Sequence, residues 1–139
     1  ETEAVATVDA AGKVTVKGPG VAKITVKAAA TTDYKAASKT VTVTVAPKKQ
    51  SISLINKIKK QLTIKWKKNT KASGYQVVYS TNKKFTGKKT VRKAKTTTSY
   101  KIKGLKKGKK YYVKVRSYKT VNGKRIYGAY STVKKATIK

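Results

Sequence analysis

The chain has 139 residues, which is the length of one domain or of two small ones. It has 36 Lys and Arg against 4 Asp and Glu, a formal net charge of +32, and no His, Cys or Met. Imidazole bases, thiol nucleophiles and the usual ligands of transition metals are therefore missing. All four acids lie in the first 33 residues, which disfavours a calcium cage or the carboxylate pair of a glycosidase. The composition predicts a protein without catalytic activity, metal or cofactor.

The positive charge is concentrated in the second part of the chain. Residues 1–47 have six lysines and four acids, whereas residues 48–139 have 27 Lys, 3 Arg and no acid, a net charge of +30. Self-repulsion on this scale opposes compaction unless salt screens it, over about 8 Å at physiological ionic strength. The second part therefore needs either a well-packed core or an anionic partner. No apolar run approaches the roughly 20 residues of a membrane span, and the absence of a signal peptide and of an initiator Met is typical of a mature fragment of a longer precursor.

Apolar residues recur at every second position along most of the chain, which is the period of β-strands. In chain order the alternating runs are Val14/Val16, Ile24/Val26, Val41/Val43/Val45, Leu62/Ile64/Trp66, Tyr75/Val77/Tyr79 and Tyr111/Val113/Val115. Glycine-containing turn signals separate the runs, and Asn122-Gly123 predicts a two-residue hairpin. Many short strands at regular spacing indicate an all-β sandwich or barrel.

One polar segment after Pro47 predicts a domain boundary, because the charge density changes there. The expected division is a first module over residues 1–47, a linker over 48–52 and a second module over 53–139. The second part is long enough for a seven-stranded sandwich. The first part is too short for a complete one, and a core of that size without disulfides is marginal.

Three segments of the second part occur in a characteristic combination. They are a strand at Leu62–Trp66 with its tryptophan in the core, a strand at Gly74–Ser80, and Leu105-Lys-Lys-Gly-Lys-Lys-Tyr111. With these segments, residues 51–139 resemble a fibronectin type III domain. The resemblance implies a tyrosine corner at Tyr111, and it specifies a fold more than a function.

The first part has a second set of family features, at Val5–Thr15, Gly20–Val26 and Thr40–Val45. Residues 4–46 thereby resemble the C-terminal half of a bacterial immunoglobulin-like domain of group 2. The first strands of that family would precede residue 4, which leaves strand edges open to strand complementation or swapping. The predicted fold class is all-β, with tandem immunoglobulin-like β-sandwiches of which the first is incomplete. Both resemblances imply accessory modules of secreted or cell-surface bacterial proteins.

The lysine clusters of the second part are candidates for polyanion binding. A single cluster is as consistent with a solvated surface as with a site, but a charge of +30 without an acid attracts any polyanion. Lys65 and Lys67 are expected to project away from the core, and other lysines lie in the loop before Tyr111, so the charge is spread around the module. The candidate residues are Lys65, Lys67, Lys68, Lys106, Lys107, Lys109, Lys110, Lys114 and Arg116.

The ratio of 33 Lys to 3 Arg bears on the kind of polyanion. Lysine favours point-charge attraction to phosphate or sulfate, whereas base readout and minor-groove insertion use arginine. The expected partners are anionic surface polymers such as teichoic acid and sulfated or sialylated glycans, together with the neighbouring domains of the parent protein. Nucleic acid is expected to bind only non-specifically.

Aromatic and basic residues alternate on one face of a strand. The residues at 112, 114, 116 and 118 point away from the buried Val113 and Val115, and the tyrosines of the next strand are expected beside them. The candidate glycan or peptide platform is Tyr112, Tyr118, Tyr127 and Tyr130. Tyrosines stack on sugars and cations hold acidic groups, but cross-strand packing, with neighbouring modules covering this face, explains the same pattern.

These observations predict a non-catalytic adhesion or spacer module that holds its parent protein near anionic surface polymers. Counterion release at many lysines would give modest affinity with a steep salt dependence. One alternative is a carbohydrate-binding module of a modular glycosidase that uses the exposed tyrosines. A second alternative is non-specific nucleic-acid binding.

Overall fold

The computed structural model describes residues 5–139 and divides the chain into two compact units, Glu1–Val45 and Ala46–Lys139. The regular elements of the described residues are all β-strands, which confirms the predicted fold class. The twelve strands are β1 Ala6–Val8, β2 Val14–Val16, β3 Gly20–Ala28, β4 Ala37–Val45, β5 Ile52–Ile55, β6 Leu62–Trp66, β7 Gly74–Ser80, β8 Lys89–Ala94, β9 Ser99–Ile102, β10 Lys110–Val121, β11 Lys124–Tyr127 and β12 Lys134–Thr137. Across residues 5–139, no helix of the length and hydropathy that a membrane span requires is present.

The first unit contains two separate antiparallel hairpins. Strand β1 pairs only with β2, and β3 pairs with β4 over nine residues, so each strand keeps one edge without a partner strand in the described part of the chain. The register places Ile24 opposite Val41 and Ala22 opposite Val43 on one face. Pairing of the open edges with a further strand remains a prediction.

Burial in the first unit is shallow. Gly20 is the only buried residue among residues 5–45. The side chains that alternate on the apolar faces are largely exposed: 57 % of Val16, 63 % of Val26 and 46 % of Val41. Two-stranded hairpins are marginal in water unless a further layer covers the apolar face. The first unit has two such hairpins, and their apolar side chains remain largely uncovered.

The second unit consists of two antiparallel sheets. One sheet has the order β5-β6-β9, and the other has the order β11-β10-β7-β8, with β12 pairing β10 as well. The predicted hairpin is present, because β10 and β11 join through Asn122 and Gly123 at φ values of +48° and +75°. Positive φ at both residues is the conformation of a type I′ turn, which the Asn-Gly pair favours.

The core of the second unit is built by the alternating residues of both sheets. The inward residues of β6 are Leu62, Ile64 and Trp66, and those of the facing sheet include Val77 and Val113; all five are buried. Trp66 also packs on the Tyr75 ring, with 5.4 Å between the ring centroids. The period-two pattern therefore identified the buried face of each central strand correctly.

The segment before β5 packs within the second unit. Pro47 and Gln50 are buried, and the Ser117 hydroxyl on β10 donates to the carbonyl of Lys48 at 3.2 Å. The Gln50 amide donates to the same hydroxyl at 3.4 Å. These contacts attach Lys48 and Gln50 to β10. They are consistent with the division between the units after Val45, two residues before the sequence-predicted position.

Candidate functional site

The surface of the second unit carries cations without side-chain counter-charges. None of its 94 residues is Asp or Glu, and its lysine clusters are exposed. The acids of the first part do not gather either, since residues 5–139 contain no group of three His, Cys, Asp or Glu that could hold a metal ion. Asp9 serves a local turn, where its carboxylate accepts the backbone N–H groups of Ala11 at 3.1 Å and Lys13 at 2.8 Å.

The predicted polyanion-binding residues lie at separate places in the second unit. Lys65 is exposed on β6, between the buried Ile64 and Trp66, and Lys67 and Lys68 are exposed just after that strand. Lys106, Lys107, Lys109 and Lys110 are exposed in the β9–β10 loop and at the start of β10, whereas Lys114 and Arg116 are half-buried further along β10. The structure therefore brings together the loop lysines, but it does not unite them with the lysines that follow β6.

Lys114 and Arg116 belong to a column of stacked rings and cations on the outer face of the larger sheet. This tyrosine–cation ladder consists of Phe85, Lys114, Tyr130, Arg116, Tyr127, Tyr118 and Arg125. The Lys114 ammonium lies 4.1 Å from the ring centroid of Phe85 and 4.3 Å from that of Tyr130. The Arg116 guanidinium lies 3.8 Å from the ring of Tyr127 and 4.4 Å from that of Tyr130. Both cations are thus held between two aromatic rings.

The ladder continues to the β10–β11 hairpin. Tyr118 and Tyr127 are directly opposite in the strand register, and their rings meet edge to face at 5.8 Å. The Arg125 guanidinium lies 5.5 Å from the Tyr118 ring. Cations over aromatic rings stabilise by about 0.5–1 kcal/mol each at exposed sites and more where they are desolvated. The rings of this face are therefore already packed against cations of the same chain.

A buried amide fixes the centre of the ladder. Gln76 on β7 lies directly opposite Arg116 in the register and is buried. Its side-chain oxygen accepts the Arg116 Nε–H at 2.6 Å and the Tyr130 hydroxyl at 3.0 Å. One acceptor thereby orients a guanidinium and a phenol, and the hydrogen bond to the charged group is the stronger kind.

Tyr112 lies apart from the other three predicted platform residues. It is half-buried near the start of β10, where it lines the outer part of a concave surface together with Lys106, Lys109 and Lys110. Tyr118, Tyr127 and Tyr130 lie in the ladder. The four tyrosines do not form one continuous stacking surface.

The loop before β10 contains the tyrosine corner that the resemblance implies. The Tyr111 hydroxyl accepts the backbone N–H of Lys106 at 3.5 Å, and the Tyr111 ring is buried in the core. Tyr79 lies nearby on β7. Burial, and secondarily the phenols of Tyr100 and Tyr111, raise the pKa of Tyr79 above its ordinary value of 10.0. The phenol of Tyr79 therefore keeps its proton at neutral pH.

Phe85 and Arg125 belong to the ladder and Gln76 supports it, and none of the three was predicted from the sequence. Phe85 is the only phenylalanine of the chain, and it is buried within a lysine-containing loop at a φ of +60°. A single phenylalanine in a polar segment was an available signal in the sequence. Gln76 and Arg125 become visible only through the strand register, which places Gln76 beside Arg116.

A fibronectin type III domain model matches residues 45–133, more than half of the chain. The chain belongs to the fibronectin type III family. Residues 1–31 match the immunoglobulin-like domain of intimin. Together the two matches confirm the predicted order, a partial immunoglobulin-like segment followed by a fibronectin type III domain.

Solved structures agree with this fold. The sixth fibronectin type III domain of human fibronectin type III domain containing protein 3 superimposes with a TM-score of 0.56 at 16% identity, covering 69% of this chain and 88% of that one. The fn3 domain of human contactin 1 gives a TM-score of 0.55 at 15% identity, with 63% and 73% covered. A computationally redesigned β-sandwich protein gives 0.55 at 14% identity, with 65% and 93% covered. At these identities the likeness shows the fold alone, a β-sandwich.

One curated relative aligns with part of the chain. A Kelch domain-containing protein of Sulfurisphaera tokodaii is 36% identical over 85 residues, which are 61% of this chain and 11% of that protein. The chain therefore spans only about a ninth of the length of that relative, and the alignment does not inform on function.

Proposed function

We propose that this fibronectin type III chain is a non-catalytic adhesion or spacer module of a secreted or cell-surface bacterial protein, and that it holds the parent protein near anionic polymers. The observation that carries the proposal is the net charge of +30 on the second unit, most of it on exposed lysines, with no Asp or Glu among the residues of the unit. The match of the first residues to an intimin immunoglobulin-like domain supports a place outside the cell.

The mechanism is release of counterions from a polymer when lysines neutralise its charged groups. Lysine presents a point charge on a flexible stem and reads no base pattern, so the ligand is defined by charge density. Teichoic acids and sulfated or sialylated glycans meet this requirement. Binding of this kind is multivalent, modest per contact and steeply dependent on salt.

A titration against a panel of polymers at several salt concentrations tests the proposal. The panel contains teichoic acid, a sulfated glycan, duplex DNA and neutral polysaccharides. We expect all polyanions to bind and their affinity to fall by at least about tenfold between 0.05 and 0.2 M salt, as expected when several charged groups are contacted. Absence of binding to every polyanion at low salt would reject the proposal.

The same panel distinguishes the carbohydrate-binding alternative. If a neutral glycan binds with little salt dependence, the tyrosines and not the lysines form the binding site. Alanine in place of Tyr112, Tyr118 and Tyr127 would then abolish binding, while polyanion binding would persist. The ladder argues for packing, because cations of the same chain already lie against the rings of Tyr118 and Tyr127.

A further inference from the structure

One end of the second unit has a concave surface. We call it the corner cleft, and it has two lobes that share Thr81, Lys106 and Tyr111. The inner lobe has a volume of about 250 Å³ and the outer lobe about 610 Å³. Ligand sites are typically clefts of about 300–1,000 Å³, so the two lobes suffice for a short stretch of a polymer.

Lysines from separate segments converge on this cleft. Lys89 at the start of β8 lines the inner lobe together with Lys103 and Lys106, and Lys106 lines the outer lobe together with Lys109 and Lys110. All five are exposed, and the unit has no carboxylate side chain to compete with an incoming anion. Lys107, although adjacent in sequence, does not line either lobe. Only some of the loop lysines therefore line the cleft.

The floor of the cleft is part of the hydrophobic core. Tyr79, Ile102, Leu105 and Tyr111 line the inner lobe, and all four belong to the core cluster of buried residues. The Tyr79 phenol remains protonated at neutral pH for the reason given above, so it is a potential hydrogen-bond donor to an anion. A site with a packed floor is preformed, which reduces the entropy lost when a ligand binds.

The loop that carries the lysines is fixed by backbone hydrogen bonds. Leu105 N–H donates to the carbonyl of Lys60 at 3.0 Å, Gly108 N–H to that of Ile138 at 2.8 Å, and Ile138 N–H to that of Lys109 at 3.0 Å. Gly108, at a φ of +74°, allows the turn between Lys107 and Lys109. These hydrogen bonds therefore fix the backbone of the loop from which the lysine side chains extend.

We propose that the corner cleft is a subsite for sulfate or phosphate ester groups of a polyanionic chain. Lys103 and Lys106 hold one group in the inner lobe, and Lys109 and Lys110 hold the next group in the outer lobe. This inference rests on the proposed function and goes further than it, because a diffuse surface charge has no preferred contact point whereas the cleft provides one. Lysine is a regular ligand of phosphate and of similar oxyanions as a point charge.

The test compares two double variants that remove the same charge. Lys103→Gln with Lys106→Gln empties the inner lobe of two cations. Lys95→Gln with Lys124→Gln removes two exposed lysines at the other end of the unit, where β8 and β10 end. The probes are a short sulfated oligosaccharide, a polyol phosphate oligomer of equal charge and the unsulfated oligosaccharide, each titrated at about 0.15 M salt, where long-range attraction is screened.

We expect the cleft variant to lose about tenfold in affinity for the sulfated or phosphate oligomer and the control variant to lose no more than about twofold. The reason is that a direct contact between an ammonium group and an anion contributes more binding free energy than a distant charge that salt screens. Thermal unfolding of both variants checks that the fold persists. The oligomer that responds identifies the ester type. The amide NMR signals of residues 102–111 should shift on addition of the same oligomer to the wild-type chain.

The two proposals fail in different ways. If both variants lose affinity equally, or if signals shift all over the unit, the cleft is not a subsite and only the diffuse polyanion binding remains. If the wild-type chain binds no polyanion even at low salt, the proposed function is rejected and the cleft proposal with it. Equal binding of the unsulfated oligosaccharide would also overturn the cleft proposal, since the lysines would then not be the recognising groups.

Discussion

The lack of a side chain at Gly74 determines how the surrounding residues pack. It starts β7 directly opposite Tyr118 on β10. A Cβ built at Gly74 would lie 2.5 Å from the Tyr118 hydroxyl oxygen and 2.6 Å from the backbone carbonyl oxygen of Lys93. An aromatic residue that covers a glycine across two strands also fixes their register. The absence of a side chain at Gly74 therefore leaves the space that the Tyr118 phenol occupies.

The substitution Gly74→Ala tests this packing. We expect the free energy of unfolding to fall by about 1–3 kcal/mol, the usual cost of overpacking a close-packed site, measured as a lower midpoint in urea. Adding Tyr118→Phe should recover only part of the loss, because it removes the hydroxyl oxygen but leaves the Lys93 carbonyl in place. A midpoint equal to that of the wild-type chain would contradict the described register.

At the scale of elements, the ladder connects β7, β10, β11 and the segments beside them. Arg116 contacts two rings and the Gln76 oxygen in it. Lysine at this position keeps the charge but loses the planar group that stacks on a ring and donates through Nε. The ladder thus depends on the shape of the guanidinium group as well as on its charge.

We predict that Arg116→Lys lowers the free energy of unfolding by about 1–2 kcal/mol, through the lost stacking and the lost hydrogen bond to Gln76. Denaturant unfolding followed by fluorescence measures the change. Arg92→Lys is the matched control, since Arg92 is exposed on β8, which β7 separates from β10, and should change stability by less than about 0.5 kcal/mol. Equal effects of the two substitutions would show that the ladder contributes nothing specific.

The central strands β6, β7 and β10 were predictable from the sequence, and five of the seven ladder residues were named from it, but the contacts that join them were not predicted. Alternation identified Val113 and Val115 as inward residues and therefore Lys114 and Arg116 as outward ones. The partners of these cations come from elsewhere, with Phe85 in a loop at positive φ and Gln76 on a strand without a contrasting pattern. Their placement depends on the register between strands, which a single sequence does not specify when several registers bury the same face.

The corner cleft was missed for a similar reason. The lysines before Tyr111 were visible as a cluster, but the sequence does not indicate which of them surround a cavity. Lys89 and Lys103 line the cleft because β7, β8 and the β9–β10 loop meet at one end of the unit. The charge of these residues can be read from the sequence, whereas the concave shape depends on how the three segments pack together.

At the scale of the whole molecule, the two units differ in how they balance cohesion and repulsion. The first has a net charge of only +2 and leaves five of its valines exposed, whereas the second packs a continuous core under a charge of +30. The compact state brings these charges closer together than the unfolded chain does. The core of the second unit must therefore overcome a repulsive free energy that depends on ionic strength.

This repulsion predicts that salt stabilises the second unit. The screening length falls from about 30 Å at 0.01 M to about 8 Å at 0.15 M salt, which should raise the free energy of unfolding by about 1–2 kcal/mol. Fluorescence of Trp66, the only tryptophan and a core residue of this unit, follows urea unfolding at each salt concentration. The variant with Lys95→Gln and Lys124→Gln should respond less to salt, because fewer like charges remain. A midpoint independent of sodium chloride would mean that the lysines are too far apart to repel one another, and the same spacing would weaken their joint attraction for a polyanion.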